Sequence, residues 1–327
     1  MQTGVQPCPT LAGGERAMTI TLLLLEQIVV LFMMMGLGYL LVKVKLAKSE
    51  DSRVLSLLHV YIIGPCVMIK SFQIEFTPEV LQGFLFAVVV AILINVLLLV
   101  LVSAIGKSLK LDPIERASVT YGNTGNLIIP LVMSVLGDEW LIYASAFMCV
   151  QLAFLWTHGY SLVGGQRGVS WKKILTNVNL IAIAAGLLLL LLGVRLPSPI
   201  LILCDKFSNT TGPLNMVMLG MLLAKIKWRE VLGNRRVYLV TFLKMICVPA
   251  LILVLLKASG AVHMLADGKT ILYISFMAVI TPCATTVTQL AQLHRNRPEH
   301  ASALNVATTL ASLATMPLMT WLYMSWI

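Results

Sequence analysis

Charged residues are scarce in this sequence, 12% of 327, where an ordinary soluble domain carries roughly 25%. Apolar residues make up 58%, and the mean hydropathy is +0.90. This composition excludes a soluble globular domain and implies a polytopic membrane protein. Cysteine supplies no framework. Cys8, Cys66, Cys149, Cys204, Cys247 and Cys283 show no C-x-x-C spacing and fall mostly in or beside apolar runs, so they read as small buried hydrophobes, not as disulfide or zinc partners.

Acidic residues are rarer still inside the apolar runs. Of fourteen, only Glu26 lies well within one; the rest, Asp112, Glu115, Asp138 and Asp205 among them, sit in loops or at run ends. A pocket for a cationic solute would want a carboxylate in the membrane, so the scarcity favours an anionic or neutral one. The chain also lacks His-Glu-x-x-His, a pair of intramembrane aspartates and a Gly-rich lysine loop. Those absences argue against an intramembrane protease and a built-in ATPase, and no enzyme activity or cofactor is expected. The formal charge of +10 does not point to nucleic acid, because the basic residues are scattered through short loops in the manner that encodes membrane topology.

Ten apolar runs are present, at 19–42, 53–72, 80–106, 114–137, 140–163, 174–194, 203–224, 237–258, 271–291 and 301–326, each near the ~20 residues a bilayer requires. The first has no small-residue cleavage site and exceeds a signal-peptide core, so it reads as a retained helix. Seventeen of the 24 Lys and Arg residues fall in the loops after odd-numbered runs, six on the other side, and Lys244 inside the eighth run. The asymmetry predicts those loops in the cytoplasm and both termini outside. Residues 1–17, polar and containing Pro7 and Pro9, read as an unpacked tail, with Met18 as an alternative start.

Two runs are interrupted by polar residues. Tyr121-Gly122-Asn123-Thr124-Gly125-Asn126 precedes Pro130 in the fourth, and Thr281-Pro282-Cys283-Ala284-Thr285-Thr286 breaks the ninth. Backbone groups freed at such breaks cannot be given to lipid, so a break survives only against protein or a watery cavity. Paired breaks in the two halves point to a transporter's binding site. Gly64-Pro65 in the second run and Gly212-Pro213 in the seventh add a second proline correspondence. An odd-numbered repeat must insert its second copy upside down, so the predicted organisation is a first five-helix repeat over 18–163, a cytoplasmic linker at 164–173 and an inverted second repeat over 174–327.

A break opens a new helix N-terminus with unpaired N–H groups and about half a positive charge, which attracts anions. Asn123, Thr124, Asn126, Thr285 and Thr286 would add neutral donors and acceptors, with Gly125, Pro130, Pro282, Pro65 and Pro213 shaping the helix breaks. Gln151 either lines the same pocket or bonds two packed helices. Lys70 is expected to snorkel to the outer interface, and Lys244 either to snorkel or to pair with substrate. His59 and His158, each alone on an apolar face, read as packed and hydrogen-bonded, and Asn215 as a partner for carbonyls freed by Pro213.

The chain resembles the auxin efflux carrier family, which includes plant auxin exporters and bacterial carriers proposed for malonate, malate and related organic anions. The likeness rests on Gly-Asn-Thr-Gly-Asn-x-x-x-Pro at 122–130, Gly36-x-Gly38-Tyr39-Leu40, Gly64-Pro65 and Pro282-x-Ala284-Thr285. It implies an all-α membrane protein of ten helices in two inverted five-helix repeats, whose broken helices 4 and 9 cross beside the substrate. A scaffold domain, a moving transport domain and an elevator-like change of access are implied too. Gln151 matches a glutamine the family tends to have, whereas Cys283 stands in the pocket segment where a small hydroxyl residue is usual.

The sequence therefore predicts a secondary active transporter, or facilitator, of a small organic anion such as a mono- or dicarboxylate. Coupling to H+ or Na+ and a homodimer are both compatible with it. The expected location is a bacterial cytoplasmic membrane, with the lipid bilayer as its surroundings. The alternative from another class is a membrane sensor built on the same fold without transport.

Overall fold

The computed structural model describes residues 13–73, 77–165, 176, 178–224 and 233–327. Its elements are helical, and among the described residues the only extended pairing is one isolated antiparallel bridge, Gly122 to Cys283. In chain order the helices are α1 (Gly13–Lys43), α2 (Ser52–Leu58), α3 (Gly64–Ser71), α4 (Pro78–Ser108), α5 (Pro113–Thr120), α6 (Ile129–Val135), α7 (Leu141–Phe154) and α8 (Tyr160–Gly164). They continue as α9 (Val178–Leu191), α10 (Ser198–Asn209), α11 (Thr211–Leu223), α12 (Arg235–Phe242), α13 (Val248–Ser259), α14 (Gly268–Ile280), α15 (Thr285–Leu293) and α16 (Pro298–Trp326). The first helix begins at Gly13 and ends at Lys43. Residues 1–12 and the greater part of the 164–173 linker lie outside the described residues.

Local chemistry sets the starts. Thr77 accepts a hydrogen bond from the Val80 N–H at 3.3 Å with Pro78 in the first turn of α4, an N-cap followed by the one residue that needs no N–H partner there. Asp112 and Glu115 form a reciprocal capping box on α5, with bonds of 2.9 and 3.0 Å. Prolines widen turns farther in. Gly64-Pro65, Ile129-Pro130 and Val248-Pro249 open α3, α6 and α13, and each is preceded by a π-helical turn, at His59–Ile63, Thr124–Ile128 and Leu243–Cys247. A proline removes one N–H and its ring crowds the carbonyl four residues back, so the preceding turn loosens to a five-residue spacing.

Among the described residues, four continuous helical stretches are long and apolar enough to cross a membrane: Pro78–Ser108, Asp138–Gly164, Arg235–Ser259 and Pro298–Trp326. Shorter apolar helices include Val178–Leu191 and Gly268–Ile280, the latter ending at the break. Large apolar side chains such as Leu37, Leu93, Val100 and Leu192 are exposed, a pattern suited to lipid and unfavourable in water. This is an all-α membrane protein.

Helix packing joins distant parts of the chain. Helix α1 lies along α11, and Gly38 permits the contact, because a Cβ there would meet the Val217 carbonyl. Helix α3 packs on α9 and α10, while α4, α7 and α14 pack together and α16 touches α5, α12, α14 and α15. At the α5 end, buried Glu115 lies 3.2 Å from His300 Nε2 and 3.6 Å from Arg236 Nε, and Arg297 pairs with Asp112. At another edge Lys70 donates to Asp138 and Asp205, both at 2.7 Å. Lys70 is thus held by two carboxylates, where the sequence suggested a snorkelling lysine; both partners sit in or near distant connections that sequence spacing does not bring together.

Candidate functional site at the crossing of two broken helices

The two interruptions meet. The Asn123 N–H donates to the Pro282 carbonyl at 2.8 Å, and the Ala284 N–H donates to the Tyr121 carbonyl at 3.0 Å, so the unwound segments run antiparallel for one bridge. Proline disfavours helix at the residue before it, and Thr281 is accordingly extended at φ −66°, ψ 151°. Its hydroxyl closes the end of α14 by donating to the Ala278 carbonyl at 2.7 Å.

Three of the freed backbone groups take side-chain partners. Gln151 Nε2 donates to the Gly122 carbonyl at 2.6 Å, Thr308 Oγ1 accepts from the Cys283 N–H at 3.1 Å, and Asn305 Nδ2 donates to the Cys283 carbonyl at 2.8 Å. Buried backbone groups left unpaired would each cost a few kcal/mol, roughly 1–3 by mutational measures, so these side chains are what allow the chain to unwind inside hydrocarbon. Gly122 is required by the approach itself: a Cβ there would collide with Thr281 Oγ1 and lie 2.8 Å from the Ala278 carbonyl. Tyr121, fully buried, fixes the entry by donating to the Phe154 carbonyl at 3.0 Å and standing 2.9 Å from His158 Nδ1.

Beside the crossing lies a cavity of about 120 Å³, where one water needs roughly 10–15 Å³. Asn123, Thr124, Gly125, Gln151, Thr285 and Thr286 all line it. Thr285 and Thr286 form the start of α15. Cys283 does not line it; the residue is buried against Thr308 and Asn305, behind the crossing. The side chains of Asn126 and Pro130 lie outside the described residues; Pro130 occupies the first turn of α6. Pro282 contributes its carbonyl to the crossing, whereas Pro65 and Pro213 act from the first turns of α3 and α11, away from the cavity wall.

Sequence reasoning missed part of the lining. His59, Asn179 and Thr211 face the cavity from the second, sixth and seventh apolar runs, and the exposed Gln289 joins them from α15. His59 is not a hydrogen-bonded packing residue as expected: its Nδ1 is buried without a partner among the described residues. Asn123 Nδ2 and Thr211 Oγ1 are in the same condition. His59 is a lone polar residue in an apolar run, and Asn179 and Thr211 belong to polar stretches near run starts, so only the fold discloses that they share the wall with Asn123. Asn215 also departs from expectation. It is fully buried with both amide atoms unpartnered, so it satisfies none of the carbonyls freed by Pro213.

Among the described residues, the cavity wall carries no lysine, arginine or carboxylate. Its unpartnered atoms include an amide donor and a hydroxyl, with an imidazole nitrogen whose role follows its tautomer. Such a set suits an acceptor-rich, uncharged-to-anionic solute better than a cation.

A family model described as membrane transport protein matches residues 23–168 and 166–320. The chain belongs to that family. The membrane transport protein family is that of the auxin efflux carriers, as the motif at 122–130 suggested. Among curated proteins, none matches the chain. Membership indicates an integral membrane transporter; the family's members are transporters and not enzymes, and a sensor without transport is not favoured.

Proposed function

We propose that this membrane transport protein is a secondary transporter of a small organic anion, a mono- or dicarboxylate, with its site in the cavity at the crossing of the two broken helices. The observation that carries the reading is the convergence there of His59 Nδ1, Asn123 Nδ2 and Thr211 Oγ1, all buried and all without a partner. Leaving one buried polar group unsatisfied costs about 1–3 kcal/mol, so three on one wall argue for a polar occupant. Carboxylate oxygens accept from an amide N–H, a hydroxyl and an imidazole N–H alike. The first turn of α15, with Thr285 and Thr286, adds the electropositive end of a helix.

In this reading the chain comprises ten spans in two inverted five-helix repeats, 18–163 and 174–327, joined at 164–173, and consecutive family matches over 23–168 and 166–320 support a repeated organisation. Access alternates by an elevator motion. The packing of α1 on α11 and of α3 on α9 and α10 forms one group and that of α4, α7 and α14 another, the two touching where α3 and α9 meet α7 and where α1 meets α16; this grouping supports a scaffold and a transport body. Both termini are outside a bacterial cytoplasmic membrane, from the distribution of basic residues. Coupling to H+ or Na+ and a homodimer are compatible with this reading.

Flux tests it. Purified protein in liposomes, loaded or bathed with labelled acetate, malonate or succinate, should move at least one of these faster than protein-free liposomes. Binding without flux of any of them would restore the sensor reading.

A further inference from the structure

Lys244 lies outside the cavity wall, yet its ammonium stands close to the crossing. Its side chain is 1% exposed, and it sits in the π-helical turn Leu243–Cys247 ahead of Pro249. No described carboxylate interacts with it; its electrostatic neighbour is Cys283, whose thiol is within hydrogen-bonding reach of Ser118 and Thr308. A buried ammonium normally has a paired anion, since an isolated one is costly to desolvate. Here the position of Nζ suggests where that anion is. A Cβ built on Gly122 would lie 3.5 Å from Lys244 Nζ, and Gly122 itself lines the cavity. One layer of unwound backbone therefore separates the ammonium from the solute space.

We infer that Lys244 is the counter-charge of the anion site, acting through the crossing without touching the solute. This rests on the anion-transport reading above. The absence of a side chain on Gly122 brings the ammonium close, and the wide turn before Pro249 places it at that level of the membrane. The same arrangement explains how a cavity lined only by neutral side chains can hold a carboxylate. The hydroxyls and amide on the wall orient the carboxylate, and Lys244 supplies the charge that makes its transfer from water favourable. Lys244 is a positioning residue and sets charge preference: it favours carboxylates over their neutral amides.

At an effective dielectric of about 20, a unit charge one or two backbone layers away, roughly 5–10 Å, changes anion affinity about tenfold or more. The experiment compares wild type, Lys244→Gln and Lys244→Arg, purified in detergent, for thermal stabilisation by acetate, malonate and succinate and by acetamide, malonamide and succinamide. Lys244→Gln should lose at least tenfold in carboxylate affinity with amide affinity unchanged, and Lys244→Arg should keep the carboxylate preference. Equal loss for both ligand types, or an unchanged ratio, would overturn the inference while leaving the anion site standing. If Lys244→Gln does not fold, the arginine variant decides: retained carboxylate preference supports the counter-charge, and its loss in folded protein overturns it. Wild type that binds none of the six probes would overturn the anion-transport reading itself, and the inference with it.

Discussion

The Asn123 N–H and the Pro282 carbonyl, far apart in the chain, are joined by a 2.8 Å hydrogen bond at the point where two helices have come undone. That bond uses the backbone of Asn123 and leaves its side chain on the cavity wall with Nδ2 unpartnered. One residue thus closes the crossing and equips the site, and the two roles are separable by mutation because only the second needs the side chain.

Gln151 should be a stability residue first. Its Nε2 is the partner of the Gly122 carbonyl at 2.6 Å, and Gln151→Leu would leave that carbonyl buried and unpaired at a cost of about 1–3 kcal/mol. A clear fall in melting temperature of the detergent-purified protein is expected, and an unchanged melting temperature would show that water replaces the amide.

Glu115 is 1% exposed and is shared by His300, Arg236 and the cap of α5. Removing one member of a buried charged cluster strands the others. Glu115→Ala should therefore destabilise the protein more than Arg236→Ala, whose side chain is 40% exposed, and chemical denaturation of both variants measures the order.

Lys70 invites the opposite expectation. Its two carboxylate partners, Asp138 and Asp205, are 53% and 44% exposed, and pairs open to solvent are worth only about 0–1 kcal/mol. Lys70→Met should lower the melting temperature by a few degrees at most, with the difference from wild type shrinking as salt is raised.

Orientation follows from the basic residues. A reporter active only in the cytoplasm should be silent when fused after Ile327 and active when inserted in the 225–236 loop. An active C-terminal fusion would contradict the inverted arrangement of two five-helix halves.

The breaks were legible because glycine, asparagine and proline stand out in hydrocarbon, and an interruption at 121–130 and another at 281–286 can be read directly from the sequence. Their pairing was less accessible: Gly122 and Cys283 meet through backbone atoms, which carry no residue-type signal. The cavity residues divide along the same line. Asn123, Thr124, Thr285 and Thr286 announce themselves by clustering at the breaks, while His59 is a single polar residue and Asn179 and Thr211 close polar stretches at 176–179 and 208–211, so that their common wall depends on how the turn His59–Ile63, α9 and α11 pack. Cys283 stands off the cavity wall, since proximity in sequence to a break does not fix which side of the crossing a side chain takes. Its backbone bonds to Thr308 and Asn305 turn it away from the cavity.

Asn123→Ala tests the central claim most directly, in paired measurements of melting temperature and of carboxylate affinity on the same purified protein. The backbone bond to Pro282 is retained in this variant, and a cavity-facing amide can be replaced by water, so the ligand-free melting temperature should stay close to that of wild type. Losing a donor and an acceptor from the site should weaken binding by about 1–3 kcal/mol, roughly five- to 150-fold. A protein with a markedly lower melting temperature and unchanged affinity would show that Asn123 packs helices and binds no solute, and would remove the crossing from the transport site.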